Sequence, residues 1–250
     1  LSLIKKVILY IILVLLLVAL AVYVFNTMVV APDINTAVNT AAPDVAPHYT
    51  DYVVIRHTYY TSYFSKDEHI PLVVTFKLTA DMVQCSEEEH QHRGKFSEDP
   101  EQPELTNLND DYRRSGFDRG HNMSAADNEC NEQGMRECFY FSNMTPQPHS
   151  FNAGKWEDLE KQERREARTY GQIIVTVGST GLQQQIGADQ VEVPEHMWKV
   201  IYIPGSRIYQ CYLFPDSDGV EQPLWQYKVP LETIETQAPV VFEDGQVKLR

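Results

Sequence analysis

Asn152, Trp156, Glu160 and Arg164 recur at every fourth position of the chain. On a helix that spacing lays them along one slowly drifting stripe. Only Trp156 is apolar. A purely structural helix would carry leucine or alanine there, whereas this one lines up an amide oxygen, a carboxylate and a guanidinium. Oxygen donors suit a hard cation, and a forked guanidinium suits an oxyanion. Upstream, the stretch "DRGH" sets Arg119 two residues before His121. An imidazole, with an unperturbed pKa of about 6.5, can accept a proton near neutral pH. The competing reading is bland: a solvated helix face with an incidental Glu160–Arg164 pair, and a histidine that only packs.

The elements that must position these residues are legible in outline. "NAGKWEDLEKQERREARTY", Asn152 to Tyr170, is rich in helix formers, with Ser150 as its N-cap candidate. Around it lie strand-like runs rich in β-branched and aromatic residues: "DYVVIRHTYYTSYF", "LVVTFKL", "ECFYFSN", "QIIVTVGS", "MWKVIYIP" and "RIYQCYLF". Several strands around one dominant helix predict an α+β domain. The polar, proline-containing stretch from Glu87 to Asp111 predicts a long surface loop.

Residues 7–25, "VILYIILVLLLVALAVYVF", are uncharged and overwhelmingly apolar. As a helix they would span about 28 Å, close to the thickness of a bilayer core. Lys5 and Lys6 precede them, so the positive-inside bias predicts a cytoplasmic N-terminus and an exported body. The expected organisation is a cytoplasmic stub and transmembrane signal anchor over 1–26, a flexible linker over 27–48 and a folded domain over 49–250 in the periplasm or at the cell surface. A cleavable signal peptide, giving a secreted protein, is the alternative. Four cysteines in an exported chain predict two disulfides, with Cys130–Cys138 and Cys85–Cys211 the expected pairing among three. A zinc site in "CSEEEHQH" is the weaker use of Cys85, His90 and His92, because paired CxxC spacing is missing.

The order "DRGH", then "FYFSNMTPQ", then "N-A-G-x-W-x-x-L-E" and "QER" resembles the DNA/RNA non-specific endonucleases of the ββα-metal (His-Me finger) superfamily. The resemblance runs from about Tyr52 to the end. It implies a central antiparallel sheet and a Mg²⁺-dependent endonuclease, with Mn²⁺ as the alternative ion and DNA, RNA or both as partner. By the same resemblance His121 is the general base that takes a proton from the attacking water. Asn152 is the single direct metal ligand, and Glu160 holds the metal's waters. Arg119 and Arg164 sit near the scissile phosphate with Arg93 as a third, and Asn143 helps orient the histidine. Asp118 is read as a residue that shapes the loop. After the histidine many relatives read like "LAPAAD", where this chain has Asn122, Met123 and Ser124 before "AAD". Whether the chain forms a homodimer stays open.

The formal net charge of −14 argues against a nucleic-acid partner when taken alone. Local clustering answers it: Arg113, Arg114 and Arg119 precede His121, while Lys155, Lys161, Arg164, Arg165 and Arg168 follow Asn152. That pattern predicts a positive groove on a negative body. Two other readings remain at this level: a nucleic-acid-binding surface protein with a decayed site, and a phosphodiesterase for another substrate. The sequons at Asn122 and Asn143 are discounted, since a glycan would block the site.

Overall fold

A computed structural model describes residues 51–88 and 93–250. The expected membrane helix, the linker up to residue 48, and His90 and His92 lie outside the described residues. Among the described residues no helix is long and apolar enough to cross a membrane.

The described residues open with β1 (Tyr52–Arg56), β2 (Tyr60–Ser65) and β3 (Pro71–Thr79), then α1 (Ala80–Glu88). The aromatic run from Asp51 is therefore a hairpin and not one strand, closed where the His57 amide donates to the Tyr60 carbonyl at 2.9 Å. Next come β4 (Phe117–His121), α2 (Glu132–Glu137), β5 (Met144–Pro148) and α3 (Glu157–Tyr170). Strands β6 (Gln172–Thr180), β7 (Gln184–Ile186), β8 (Val191–Val193), β9 (His196–Ile203), β10 (Ile208–Pro215) and β11 (Lys228–Val229) follow. The main sheet has seven strands in the order β1-β2-β3-β6-β9-β10-β11, and each neighbouring pair is antiparallel. The expected α+β class and central antiparallel sheet are both present.

Both faces of the sheet are covered, which is why β3, β6 and β9 read as nearly unbroken apolar runs instead of alternating ones. On one face Trp156, Leu159 and Ala167 pack with Val74, Phe76, Val175, Val177 and Ile201. On the other, Trp198 and Val200 meet Cys211, Ile234 and Val240. Outside the main sheet, β4 and β5 form a two-stranded ribbon with Gly120 opposite Thr145 and His121 opposite Met144.

Four expectations are corrected here. The apolar run "ECFYFSN" is not a strand. Its amides close turns, Tyr140 to Glu137 O at 3.1 Å and Asn143 to Tyr140 O at 2.9 Å, and the ladder begins only at Met144. A short buried apolar run is compatible with either structure, so its burial carried no strand information. The helix starts at His149, not after Ser150, and Ser150 Oγ bonds Asp218 instead of capping. A π-helical turn over Asn152–Trp156 with a kink at Gly154 joins it to α3, a local widening of a kind common at functional sites.

The stretch before Asp111 is not a plain surface loop. It forms single helical turns over Pro103–Thr106 and Asn109–Tyr112 and buries Asp99 completely. Asp99 is affordable there because its carboxylate bonds His57 Nε2 at 2.7 Å, the Glu101 amide at 2.9 Å and Ser142 Oγ.

The one disulfide joins Cys85 of α1 to Cys130, with Cα atoms 5.3 Å apart, while Cys138 and Cys211 are buried free thiols. Cys138 ends α2 with its Sγ donating to Met135 O at 3.4 Å, turned away from Cys130 by that helix. Closing 45 residues contributes about 4 kcal/mol in chain-entropy terms. It also withdraws the Cys85 thiolate from any zinc site.

Candidate active site

Ribbon β4–β5 and the helix from His149 to Tyr170 form the walls of a cleft of about 620 Å³. His121, Arg119, Arg93, Asn152, Glu160 and Arg164 all line it. Residues separated by up to 71 positions thus converge on one space. The four-residue stripe divides its labour: Trp156 is fully buried against the sheet, while Asn152, Glu160 and Arg164 turn to the cleft.

His121 ends β4 with its ring against Phe139, at 4.8 Å between centroids, and Phe96, at 5.8 Å. Its Nε2 is sealed from solvent with no hydrogen-bond partner among the described residues. Burial, reinforced by the Arg93 charge, pushes its pKa down to about 3. The imidazole is therefore neutral near pH 7, and holding a proton there would need an opposite charge, such as a bound phosphate, to offset the loss of hydration. Trp156 Nε1 donates to the His121 carbonyl at 3.1 Å and fixes the backbone from the helix side.

Asn143 is fully buried behind the cleft and not in its lining. Its side chain bonds Met123 N and Met123 O, each at 2.9 Å, and Cys138 O at 2.9 Å. It clamps the backbone that leaves His121. Asn122 is almost as buried and bonds Asn143 O at 3.1 Å and Thr145 Oγ1 at 3.0 Å, so neither sequon asparagine is exposed for a glycan.

Asn152 Nδ2 donates to Asp118 Oδ2 at 3.0 Å, and the same oxygen meets His149 Nδ1 at 2.7 Å. A carboxylate oxygen accepts from the amide NH₂, so this bond distinguishes the two ends of the Asn152 amide and leaves Oδ1 as its remaining acceptor. Sequence reading left Asp118 a local loop role and missed His149. No spacing signal marks this bond, which joins β4 to a helix 34 residues later.

Glu160 accepts from Ser124 Oγ at 2.9 Å. Ser124 stands where the similar "LAPAAD" pattern has proline, so that departure reaches a cleft carboxylate as well as the local turn. Desolvation raises the pKa of Glu160. Arg164 does not pair with Glu160; its Nη1 bonds the buried Asp127 at 2.9 Å. Arg119 Nη2 bonds Asn109 O and Oδ1, both at 3.0 Å, and its guanidinium lies 5.2 Å from the Phe96 ring and 5.6 Å from Tyr112. Its buried Nε has no partner among the described residues.

The cleft is not the positive groove that clustering predicted. Asp118, Glu129, Glu157 and Glu160 face Arg93, Arg119 and Arg164, four carboxyl groups to three guanidiniums. Of the other clustered cations, Arg113 pairs with Asp110 and Arg168 with Glu87, while Lys155, Lys161 and Arg165 line a separate groove, from which Lys161 reaches Glu157 at the cleft edge. A phosphate entering this space meets an electrostatic balance that a divalent cation would tip in its favour. Among the described residues no group of three or more His, Cys, Asp or Glu side chains could hold a metal. The cleft's oxygen donors, an amide and carboxylates, are hard ligands of the kind that hold a cation retaining most of its waters.

The depressed imidazole also couples to stability. As pH falls below about 6.5 the unfolded chain binds a proton at His121 that the folded form refuses until about pH 3. Folding is therefore penalised progressively through that window. In urea titrations from pH 7 to 5, wild type is expected to lose up to about 1.4 kcal/mol per pH unit relative to His121→Asn. Parallel pH profiles for the two proteins would contradict the buried, neutral imidazole.

The DNA/RNA non-specific endonuclease family model matches residues 38–249. Mitochondrial nuclease EXOG of Danio rerio is 35% identical over 167 residues, 59% of this chain and 49% of the relative. Human mitochondrial endonuclease G is 35% identical over 150 residues, 54% of this chain and 50% of the relative. The chain thus spans about half the length of these curated relatives. Nuclease C1 of Cunninghamella echinulata is 31% identical over 206 residues, covering 76% of this chain and 81% of that protein. A solved structure described as the EndoG/EndoGI complex superposes with a TM-score of 0.70 at 30% identity, over 77% of this chain and 86% of that one.

These relatives correct the expected membrane-anchored, extracytoplasmic placement. Endonuclease G and EXOG are named mitochondrial nucleases, and no membrane-crossing helix occurs among the described residues. With the family match spanning most of the chain and the same fold in the solved neighbour, this chain belongs to the DNA/RNA non-specific endonuclease family.

Proposed function

We propose that the protein is a Mg²⁺-dependent endonuclease of the ββα-metal type, with residues 49–250 as its nuclease domain, that hydrolyses DNA and RNA with little sequence preference. The observation that carries this reading is the convergence of a neutral imidazole, a free amide oxygen and three guanidiniums on one cleft.

Neutral His121 takes the proton of the attacking water as its oxygen bonds phosphorus and the P–O bond to the leaving alkoxide breaks, the alkoxide taking a proton from solvent. Arg119, Arg164 and Arg93 offer fixed donors to the non-bridging oxygens as charge grows there. Asn152 Oδ1 would hold the metal, and Glu160 would orient its waters. When bound, the ion supplies Lewis-acid stabilisation of the phosphate and of the leaving oxygen. These groups address phosphate and not base edges, which favours sequence-independent cleavage.

Plasmid and single-stranded RNA are expected to be degraded with Mg²⁺ and left intact in EDTA. Asp118→Asn is expected to raise the Mg²⁺ concentration for half-maximal activity by about 10- to 100-fold, the usual cost of losing a residue that orients a ligand. Equal cleavage in EDTA would refute the metal role.

A further inference from the structure

A second groove of about 460 Å³ runs along the same helix and carries no role in the chemistry described above. Lys155, Lys161, Arg165 and Lys228 line it, facing one carboxylate, Asp158, with Trp225 at its edge. In a chain of net charge −14 this is a concentrated basic surface. Trp225 is 67% exposed, the most exposed of the large apolar side chains among the described residues. It is nonetheless held firmly. The Leu224–Tyr227 turn packs Leu224 and Tyr227 against the core, with the Tyr227 ring 4.5 Å from Phe214. An indole fixed at its base and bare on its surface is a stacking platform.

The neighbouring charges are available. Arg165 is exposed and has no carboxylate partner among the described residues. Among the described residues Lys228 bonds only the neutral Gln210 amide oxygen, at 3.2 Å, and lies 5.4 Å from the Tyr212 ring. Lys155 and Lys161 pair with Asp158 and Glu157 across solvent-facing contacts that a phosphate can displace.

We propose that this groove binds single-stranded nucleic acid outside the cleavage site, with a base stacked on Trp225 and the backbone phosphates on Arg165, Lys161, Lys155 and Lys228. The proposal rests on the endonuclease reading for its substrate class. Its position follows from helix geometry. Asp158, Lys161 and Arg165 each follow a cleft residue, Glu157, Glu160 and Arg164, by one position. One residue is about 100° of rotation, so the groove flanks the cleft around the helix. A strand emerging from the cleft crosses α3 and meets cations, then the indole. Unstacked bases are required, which favours single strands over duplex.

The test uses the full chain with fluorescein-labelled dT12 in EDTA, where binding is read without turnover. Trp156 and Trp198 are fully buried, so of the three tryptophans Trp225 is the one whose emission a surface ligand quenches. Wild type is expected to bind dT12 with quenching and to bind a 12-base-pair duplex more weakly. Trp225→Ala and Arg165→Glu are each expected to weaken dT12 binding about ten-fold, in the range found for one stacked base. With Mg²⁺ the same variants should raise KM for dT12 by a similar factor at unchanged kcat.

Unaltered dT12 affinity in both variants, or a fall in kcat at constant KM, would overturn the groove. Trp225-dependent binding without any cleavage would uphold the groove and sink the endonuclease reading. Cleavage that depends on His121 but not on Trp225 would do the reverse.

Discussion

Replacing His121 with alanine is expected to slow phosphodiester cleavage by about two to four orders of magnitude, the usual contribution of a positioned general base. The loss should fall on kcat with KM little changed, because the imidazole accepts a proton only as water attacks. Far-UV circular dichroism should be preserved, since the backbone at this point is held from elsewhere. Trp156 holds the His121 carbonyl, and Asn143 holds the segment at Met123. The aromatic wall of Phe96 and Phe139 would leave a ring-shaped vacancy open to the cleft. Added imidazole should therefore recover part of the activity. Full activity in the alanine variant would remove His121 from the chemistry, whatever the rest of the cleft does.

Lys199→Met is expected to destabilise the fold by about 3–5 kcal/mol, the largest single effect on stability anticipated here. Lys199 is fully buried, with Nζ 2.8 Å from Glu163 and 4.5 Å from the Trp156 ring centroid. Removing the ammonium leaves Glu163 without its partner beside Asp127 and Glu160, where burial already raises the pKa of all three carboxyls. For a domain of this size a fall in Tm of roughly 10 °C corresponds to that cost. Lys199→Met combined with Glu163→Leu should recover most of it, since Asp127 keeps Arg164 and Glu160 keeps the Ser124 hydroxyl. Thermal and urea unfolding of the single and double variants would check both statements. A single variant as stable as wild type would mean that Lys199 does not neutralise this cluster.

The residues proposed to carry chemistry could be singled out in the sequence by local spacing, but their roles came from the family resemblance; what the structure adds is their meeting in one cleft. "DRGH" fixes an imidazole two residues from a guanidinium on one strand. The four-residue recurrence from Asn152 fixes oxygens and a guanidinium along one helix. Composition and periodicity also sufficed for an α+β class with one dominant helix. Boundaries were less legible: burial made Phe139 and Phe141 look like strand residues, although turn hydrogen bonds hold their backbone.

What no spacing encoded are the partnerships made across the chain. Cys85 found Cys130 because α1 packs there while α2 turns Cys138 away. Asp118 fixes the orientation of Asn152, Ser124 bonds Glu160, and Asp127 takes the Arg164 that local pairing would have given to Glu160. The charge balance of the cleft likewise depends on which side of α3 each cation occupies, and that is set by how Trp156, Leu159 and Ala167 seat the helix on the sheet. One-dimensional spacing determines which groups share a face. Only packing of that face against strands far away in sequence decides what each group meets, because contact energies are short-ranged and the chain order does not carry them.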